Sequence, residues 1–215
     1  NKLLNGMNAM VTGTIIKVSG PLIVATDMQG AKMYDVVKVG NLQLMGEIIE
    51  INGADVSIQV YEETTGISVG EPVVSTGEPL SIELGPGLLS SGLFDGILRP
   101  LNIIAAKAQE QGQHPGYIAR GVQIPSLDRS RQWDFTPLVS NGEAVEEGDI
   151  LGTVQETGLI VHKIMVPYGV SGTVSEIKTG SYTVTDPIAV VGETPVTMMH
   201  KWPVRVPRPI QAKHV

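Results

Sequence analysis

The sequence predicts a mainly β protein, with a small antiparallel β-barrel at the N-terminus and an inserted second β module that is joined to it by an extended linker with a short helix. Apolar and polar residues alternate over short runs, which is the period of a half-buried strand. Turn signals separate these runs, and glycine and proline supply 25 and 14 of the 215 residues. Aromatic residues make up only 4%. This composition favours many short elements joined by tight turns over helical bundles or coiled coils.

The first part of the chain contains five predicted strands. In the run 55–61, Val56, Ile58 and Val60 alternate with polar residues. The other four runs are 12–18, 21–26, 32–39 and 44–51. The pair Asn52-Gly53 predicts a type I′ hairpin turn, because both residues tolerate positive φ. This spacing predicts a small barrel or sandwich, and closure into a barrel would remove exposed edges. Periodicity alone leaves any other small all-β domain open.

Residues 66–101 are rich in glycine and proline. They predict one or two further strands and then an extended linker that turns at Gly85-Pro86-Gly87. The segment 102–111 is the best candidate for a short helix, because Pro100 suits a helix N-terminus and Gly112 can end the helix.

A second strand-rich region runs from about residue 116 to residue 191. Its predicted strands are 150–157, 159–166, 171–177 and 182–191. The tail from residue 198 to residue 215 differs, since it combines Met198, Met199 and Trp202 with three prolines and several basic residues. We expect the tail to have no core of its own, and Met199 and Trp202 to be poorly buried.

Composition argues against several classes of protein. The longest apolar runs, such as 21–25, are far shorter than the roughly 20 residues that cross a bilayer. We expect no secretory signal, because no basic segment followed by an apolar one opens the chain. The absence of cysteine excludes disulfides, thiolate chemistry and Cys-ligated zinc, and it fits a cytosolic protein. The net charge of −7 argues against a nucleic-acid-binding surface.

The sequence has no nucleotide-binding motif. A P-loop requires G-x-x-x-x-G-K-[ST], whose backbone N–H groups and lysine surround the phosphates, and the chain contains no Gly-Lys dipeptide. G-x-G-x-x-G is also missing, although the run 85–89 matches part of it. We therefore expect no catalytic and no cofactor-binding residue in this chain.

We also expect no metal site. No histidine has a second histidine at the spacing of metal ligands; the four are His114, His162, His200 and His214. His162 lies in an apolar run and is expected to be packed or hydrogen-bonded. Four charged residues beside an aromatic anchor predict salt bridges and not an acid–base centre, because no nucleophile is near; they are Asp128, Arg129, Arg131 and Asp134. The acidic run 143–149 lacks the ligand pattern of a calcium loop and predicts a solvated turn.

The sequence pattern of region 141–191 resembles that of a biotinyl or lipoyl carrier domain. Such a domain is a barrel-sandwich hybrid that presents a modified lysine at a hairpin tip. Alignment on Glu156-Thr157 places Leu159 at the acceptor position. Lys163 lies inside a predicted strand, from which a prosthetic group cannot swing. We therefore expect this region to share the barrel-sandwich shape of the carrier domains but not their carrier function.

Several longer stretches follow one another along the chain. They include GTIIKVSGPLIVA (13–25), AKMYDVVKVG (31–40), GEIIEI (46–51), the run 60–89, FDGILRPL (94–101), HKIMVPYGVSGTV (162–174), YTVTD (182–186) and KWPVRVPRP (201–209). In this order they resemble the N-terminal part of the catalytic A subunit of V-type and archaeal A-type rotary ATPases. The set covers nearly the whole chain and is far more specific than any single stretch.

The resemblance implies four segments. These are an N-terminal β-barrel at 1–78, a linker at 79–103, a non-homologous or bulge region at 104–190, and a tail at 191–215 that leads to a nucleotide-binding domain outside this chain. It implies that the barrels of neighbouring A and B subunits form a ring and that the bulge contacts stator or peripheral-stalk components. The parent subunit would use ATP and Mg²⁺ and would couple ATP hydrolysis or synthesis to H⁺ or Na⁺ transport. It would lie in the cytoplasmic sector, peripheral to the membrane and not inserted in it.

Under this hypothesis the chain is a structural and coupling segment that serves ring assembly and stator contact. Without a P-loop it would neither hydrolyse nor tightly bind ATP. The isolated barrel would self-associate weakly, because one ring contact is small beside a stable interface of roughly 1,600 Å². A stand-alone β-domain scaffold or binding protein, and a biotinyl- or lipoyl-like carrier, are the alternatives.

Overall fold

The computed structural model describes residues 10–110 and 120–208, which form two compact units. The first unit comprises Asn1–Ser81, Ile104–Gln123 and Pro203–Val215, and the second comprises Ile82–Ile103 and Ile124–Trp202. Three sequence-based expectations lie outside the described residues: those for His114, for His214 and for the helix end at Gln111-Gly112.

The first unit is built on a closed antiparallel barrel of six strands, in the order β1-β2-β5-β4-β3-β6. The strands are β1 (Thr12–Ser19), β2 (Leu22–Thr26), β3 (Asp35–Val39), β4 (Leu44–Asn52), β5 (Asp55–Val60) and β6 (Pro72–Pro79). The pairing of Thr12 with Val74 joins β6 to β1 and closes the barrel. The predicted barrel and the five predicted strands within residues 12–61 are therefore confirmed, with ends that differ by up to three residues.

Alternate residues of these strands fill the barrel interior. Ile15, Ile23, Ile48 and Ile58 are buried there, and their β-branched side chains also favour the extended backbone. Gly46 allows the close packing of β4 against β5, because a Cβ at this position would lie 2.8 Å from Cγ2 of Ile58. The same alternation that forms the strands therefore forms the core.

The turn between β4 and β5 differs from the prediction by one residue. Asn52 pairs with Asp55, so the two central residues are Gly53 and Ala54. Gly53 has a φ of 66°, whereas neither Asn52 nor Ala54 has positive φ. Positive φ at the first central residue alone is the type II′ pattern, so the predicted type I′ turn at Asn52-Gly53 is wrong.

The second unit contains two four-stranded sheets, in the orders β11-β10-β8-β13 and β15-β14-β12-β9. Their strands are β8 (Gln132–Pro137), β9 (Ala144–Val145), β10 (Ile150–Gln155), β11 (Val161–Met165), β12 (Gly172–Ser175), β13 (Gly180–Thr183), β14 (Pro187–Val191) and β15 (Thr194–Thr197). Both sheets contribute to one core, in which Phe135, Leu151 and Ile188 are buried. This arrangement agrees with the predicted second β module.

The predicted strand 182–191 is two strands in different sheets. Oδ2 of Asp186 accepts the backbone N–H of Thr183 at 2.7 Å and so closes a turn between β13 and β14. Pro187 then begins β14, a position where proline's missing N–H is tolerated. The alternation continues across the turn, which is why the sequence reads as one strand.

The tail has no core of its own, but its first residues pack into the core of the second unit, so the expected poor burial of Met199 and Trp202 is wrong. Met198 is 2% exposed and belongs to the core of the second unit, against which Met199 also packs. The Trp202 ring meets the Tyr168 ring edge to face, with centroids 6.1 Å apart, and Trp202 is half-buried. Trp202 lies in β16 (His200–Pro203), which pairs with β7 (Ser81–Leu84). The second core thus continues beyond residue 190, where the sequence placed the end of the bulge.

Most of the segment expected to be a linker, 79–103, groups with the second unit from Ile82 onward. Gly87 has a φ of 101°, and a Cβ there would lie 3.1 Å from Cζ2 of Trp133, so the turn at 85–87 is packed against this core. The helix α1 (Leu101–Glu110) begins one residue before its predicted start. Among the described residues, no helix has the length and apolar character needed to cross a membrane.

Candidate functional site

A short strap in the first unit, residues 203–208, begins at the last residue of β16 and is hydrogen-bonded to the rest of this unit. The backbone N–H of Val204 donates to the carbonyl of Leu80 at 2.9 Å. Arg205 then forms a bidentate pair with Glu47 on β4: its Nε donates to Oε1 at 3.0 Å, and one terminal nitrogen donates to Oε2. A forked guanidinium–carboxylate pair fixes orientation as well as distance. The strap is therefore held in one register on the barrel.

Glu47 lies on the outer face of β4, since it alternates with the buried residues Gly46 and Ile48. It is nevertheless only 2% exposed. The hydroxyl of Tyr61 donates to Oε2 of Glu47 at 2.9 Å, and the guanidinium of Arg205 lies 4.6 Å from the ring centroid of Tyr34. A buried carboxylate on an outer face requires such partners, because an unpaired buried charge is strongly unfavourable.

The pKa values of this cluster follow from its contacts. Burial alone would raise the pKa of Glu47, but hydrogen bonds from Arg205 and Tyr61 and the positive charge of Arg205 outweigh it and lower the pKa. Burial, together with the hydrogen bond to Glu47, raises the pKa of Tyr61. The hydrogen bond and charge of Glu47 raise the pKa of Arg205. The cluster thus keeps an ion pair and a neutral phenol at neutral pH.

A second buried carboxylate, Glu156, joins three segments of the second unit. Oε1 accepts the backbone N–H groups of Leu89 and Ser90, both at 3.0 Å. Oε2 lies 3.1 Å from Nδ1 of His162. Glu156 thereby ties the loop after β7 to the hairpin of β10 and β11, and His162 is hydrogen-bonded, as the sequence suggested.

The charged residues at 128–134 have structural roles in the second unit. Arg129 pairs with Glu83 on β7, a partner that the sequence did not suggest. Hydrogen bonds from the Ser130 side chain and backbone lower the pKa of Asp128. The guanidinium of Arg131 lies 3.9 Å from the ring centroid of Trp133. Asp134 is exposed on β8. The four residues do not form one cluster.

The acidic run 143–149 forms turns. Oδ2 of Asp149 accepts the N–H of Glu146 at 2.8 Å, and Oε2 of Glu147 accepts the N–H of Gly169 at 2.7 Å. Within residues 10–110 and 120–208, no group of three or more histidine, aspartate or glutamate residues is placed to hold a metal ion. His200 lies in β16.

Leu159 is 97% exposed in the turn between β10 and β11. Lys163 pairs with Thr153 in the middle of β11, so its backbone is fixed within the sheet. The hairpin tip therefore presents an apolar side chain where a carrier domain would present lysine.

The pair of Glu47 and Arg205 is the feature that sequence reasoning missed. The two residues are 158 positions apart. The available signals were glutamates inside the otherwise apolar run 44–51 and an arginine in a proline-rich tail. Neither signal identifies its partner.

Two family models match the chain. The β-barrel domain of the ATP synthase alpha/beta family matches residues 15–77, and the barrel-sandwich domain of the ATP synthase alpha/beta subunit matches residues 124–205. The V-type ATP synthase alpha chain of Thermoanaerobacter sp. (strain X514) is 56% identical over 209 residues, which are 95% of this chain and 34% of that protein. The A subunit of the A-type ATP synthase of Methanococcus vannielii is 55% identical over 208 residues, which are also 95% of this chain and 34% of that protein.

The V-type ATP synthase alpha chain of Clostridium botulinum (strain Langeland) is 53% identical over 208 residues, again covering 95% of this chain and 34% of that protein. The chain thus spans about a third of the length of the curated relatives it matches. The closed barrel, the second β unit and these matches lead to one assignment: the chain belongs to the ATP synthase alpha/beta family and corresponds to the N-terminal region of the V/A-type alpha, or A, subunit.

Proposed function

We propose that this chain is the non-catalytic scaffold and coupling segment of a V/A-type ATP synthase A subunit. In this proposal the barrel joins neighbouring A and B subunits in a ring, and the second unit contacts the stator. The strap connects the barrel to the part of the subunit that handles ATP and Mg²⁺. The complete machine would couple ATP hydrolysis or synthesis to ion transport from a position peripheral to the membrane, on its cytoplasmic side.

The observation that supports the proposal most is the combination of high identity over 95% of the chain with the absence of a P-loop from its sequence. A P-loop is needed to surround the phosphates of a nucleotide in this type of enzyme. We therefore assign ATP chemistry to the remaining two thirds of the subunit's length. The role left to this chain is mechanical.

The barrel suits ring assembly because closure pairs its strand edges with one another. Neighbouring barrels cannot then add strands to each other, so contact must use side chains. Ile16 on β1 and Leu22 on β2 are exposed apolar residues of neighbouring strands. We propose them as part of the ring contact.

The second unit offers a different exposed apolar surface. Leu159 lies at the tip of the β10–β11 hairpin, and Val161 and Met165 follow it on one face of β11. The exposed Lys163 lies between Val161 and Met165 on this face, so the surface is apolar with one positive charge, which fits an interaction surface. We propose this surface for the stator contact.

A crossed experiment tests both assignments. The full-length subunit is prepared as the double variant I16E/L22E and, separately, as L159E. Ring formation with the B subunit is measured by native mass spectrometry, and binding of peripheral-stalk subunits is measured by biolayer interferometry. We expect I16E/L22E to impair the ring and L159E to impair stalk binding.

Each variant is the control for the other, because both keep the buried cores intact. The proposal fails if neither variant changes its assay, or if each changes the other's. The chain itself should show no ATP turnover and no tight Mg-ATP binding by calorimetry. Turnover that a substitution within the chain abolishes would overturn the non-catalytic assignment.

A further inference from the structure

The two sheets of the second unit have open edges, unlike the closed barrel. Their outer strands are β9, β11, β13 and β15. Three of these strands have features that discourage pairing with another chain. β9 is only two residues long, β15 contains Pro195, and the one exposed side chain of β13 is the polar Ser181. β11 has five residues and no proline, so its edge is the candidate for an interaction.

The backbone of β11 is paired with β10 on one side. Hydrogen bonds at both ends of this pairing show which residues face β10. The carbonyl of Ile160 accepts the N–H of Glu156 at 2.9 Å, and the N–H of Val166 donates to the carbonyl of Asp149 at 2.8 Å. Because hydrogen-bonded pairs alternate along an antiparallel ladder, the even-numbered residues from 160 to 166 direct their backbone groups towards β10.

The odd-numbered residues Val161, Lys163 and Met165 therefore direct their N–H and C=O groups away from β10. The bulge in this ladder does not disturb the alternation of β11, because the extra residue is Leu151 on β10. Within the described part of the chain, no turn or loop donates to or accepts from the backbone of these three residues. Such a row of unpaired backbone groups is a template for an additional strand.

The side chains of the same three residues define what an added strand must carry. Val161 is 51% exposed and Met165 is 40% exposed, and the exposed Lys163 lies between them. Across the ladder Lys163 is paired with Thr153, which is uncharged. Lys163 forms no ion pair within residues 10–110 and 120–208. The edge thus presents two apolar side chains and one positive charge without a counter-charge.

This pattern disfavours a second copy of the chain as the partner. A symmetric antiparallel pairing of two β11 strands that uses all three outward residues places the two copies of Lys163 opposite each other. Like charges that are directly opposite destabilise strand pairing, and an edge lysine is a common device against self-association. An acidic residue opposite Lys163 instead forms a favourable cross-strand pair.

We propose that the open edge of β11 binds an extended segment of another protein by strand addition. The segment carries an acidic residue opposite Lys163, between apolar residues opposite Val161 and Met165. Backbone hydrogen bonds supply affinity, and the alternating side chains supply specificity. The mode of binding rests on the geometry of β11, whereas the identification of the partner as a stator component rests on the function proposed above.

The test uses the capped peptide Thr-Val-Thr-Glu-Thr-Val-Thr, in which valine and glutamate share one face of a strand. The peptide is titrated into the ¹⁵N-labelled chain. We expect saturable downfield shifts of the amide protons of Val161, Lys163 and Met165, and much smaller changes at His162 and Ile164, whose N–H groups face β10. The same peptide with N-methyl groups on both valines and the glutamate cannot pair and should cause no shift.

Substitutions at Lys163 separate backbone pairing from charge. K163Q removes the charge and keeps the N–H, whereas K163P removes both. Proline is tolerated on an edge strand where the N–H faces outward. K163Q should weaken peptide binding about twofold, because an exposed charge pair contributes little. K163P should weaken it about fivefold further, because one backbone hydrogen bond is lost.

A charge swap decides the question if K163P fails to fold. K163E should prefer the peptide with lysine in place of glutamate, which reverses the preference of the unsubstituted chain. Strand addition is wrong if the amides of the outward residues shift no more than those of His162 and Ile164, or if K163P and K163Q bind equally. A dimer of the unsubstituted chain that K163P abolishes in sedimentation would assign the edge to a second copy and would also overturn the proposal.

The identity of the partner is tested separately in the full-length subunit. Binding of the peripheral-stalk subunits should be weaker in K163P than in K163Q. If the peptide binds as expected but neither K163P nor L159E lowers stalk binding, strand addition stands and the stator assignment fails. If L159E lowers stalk binding and K163P does not differ from K163Q, the stator assignment stands and strand addition is overturned as its mode.

Discussion

The substitution E156A should selectively destabilise the second unit. It leaves the backbone N–H groups of Leu89 and Ser90 without their acceptor. His162 is a quarter exposed and can turn to water, so its lost contact adds little. An unsatisfied buried donor costs about 1–3 kcal/mol, so two partly shielded N–H groups should together cost about 2–4 kcal/mol.

Tryptophan fluorescence is a specific assay for this loss, because Trp133 and Trp202 both lie in the second unit. Urea unfolding followed by fluorescence should show a lower midpoint for E156A, whereas hydrogen exchange of the barrel strands should stay unchanged. E156Q is the matched control, since its amide oxygen still accepts both N–H groups, and it should lose at most about 1 kcal/mol. A stability of E156A within about 0.5 kcal/mol of the unsubstituted chain would refute the reasoning, because that range is typical of an ordinary surface substitution.

Three further outcomes are expected. The pKa of Glu47 is lowered in the folded barrel. Its contribution to stability is therefore full above the ordinary carboxyl pKa and is lost as the pH falls through the folded pKa. E47Q should remove this loss, which is measured by hydrogen exchange of the barrel strands as the pH is lowered. G87A should destabilise the second unit more than G142A does in urea unfolding, because both glycines have positive φ but only Gly87 packs against Trp133; equal losses would contradict the packing argument. M198A should cost about 2–5 kcal/mol in the same assay, as for other buried methionines; a negligible loss would place Met198 outside the core.

The sequence predicts the parts of the fold that depend on local pattern. Alternation located the barrel strands, because one face of each strand packs into a single core. It failed at β13 and β14, where Asp186 and Pro187 turn the chain into another sheet without interrupting the alternation. It also failed for Met198, whose burial depends on residues far away in the sequence.

The ionic contacts show the same limit. Salt bridges and an aromatic anchor were expected at residues 128–134, where Arg129 forms an ion pair and Arg131 lies against the Trp133 ring. Their partners were not predictable, since Arg129 pairs with Glu83, 46 positions earlier. The pairing of Glu47 with Arg205 spans an even longer separation. Local pattern indicates that a charge needs a partner, but only the fold selects it.

The strap pair is better understood as a positioning device than as a source of stability. Burying Glu47 has a desolvation cost that its partners offset, and the side chain of Arg205 remains 54% exposed to screening solvent. An apolar contact could stabilise the strap equally well, but it could also slide along the barrel. The forked pair admits one register, and each of its members has a second contact: Glu47 with the Tyr61 hydroxyl and Arg205 with the Tyr34 ring. A fixed register of the strap on the barrel, more than an additional increment of stability, is therefore the property that this buried ion pair provides.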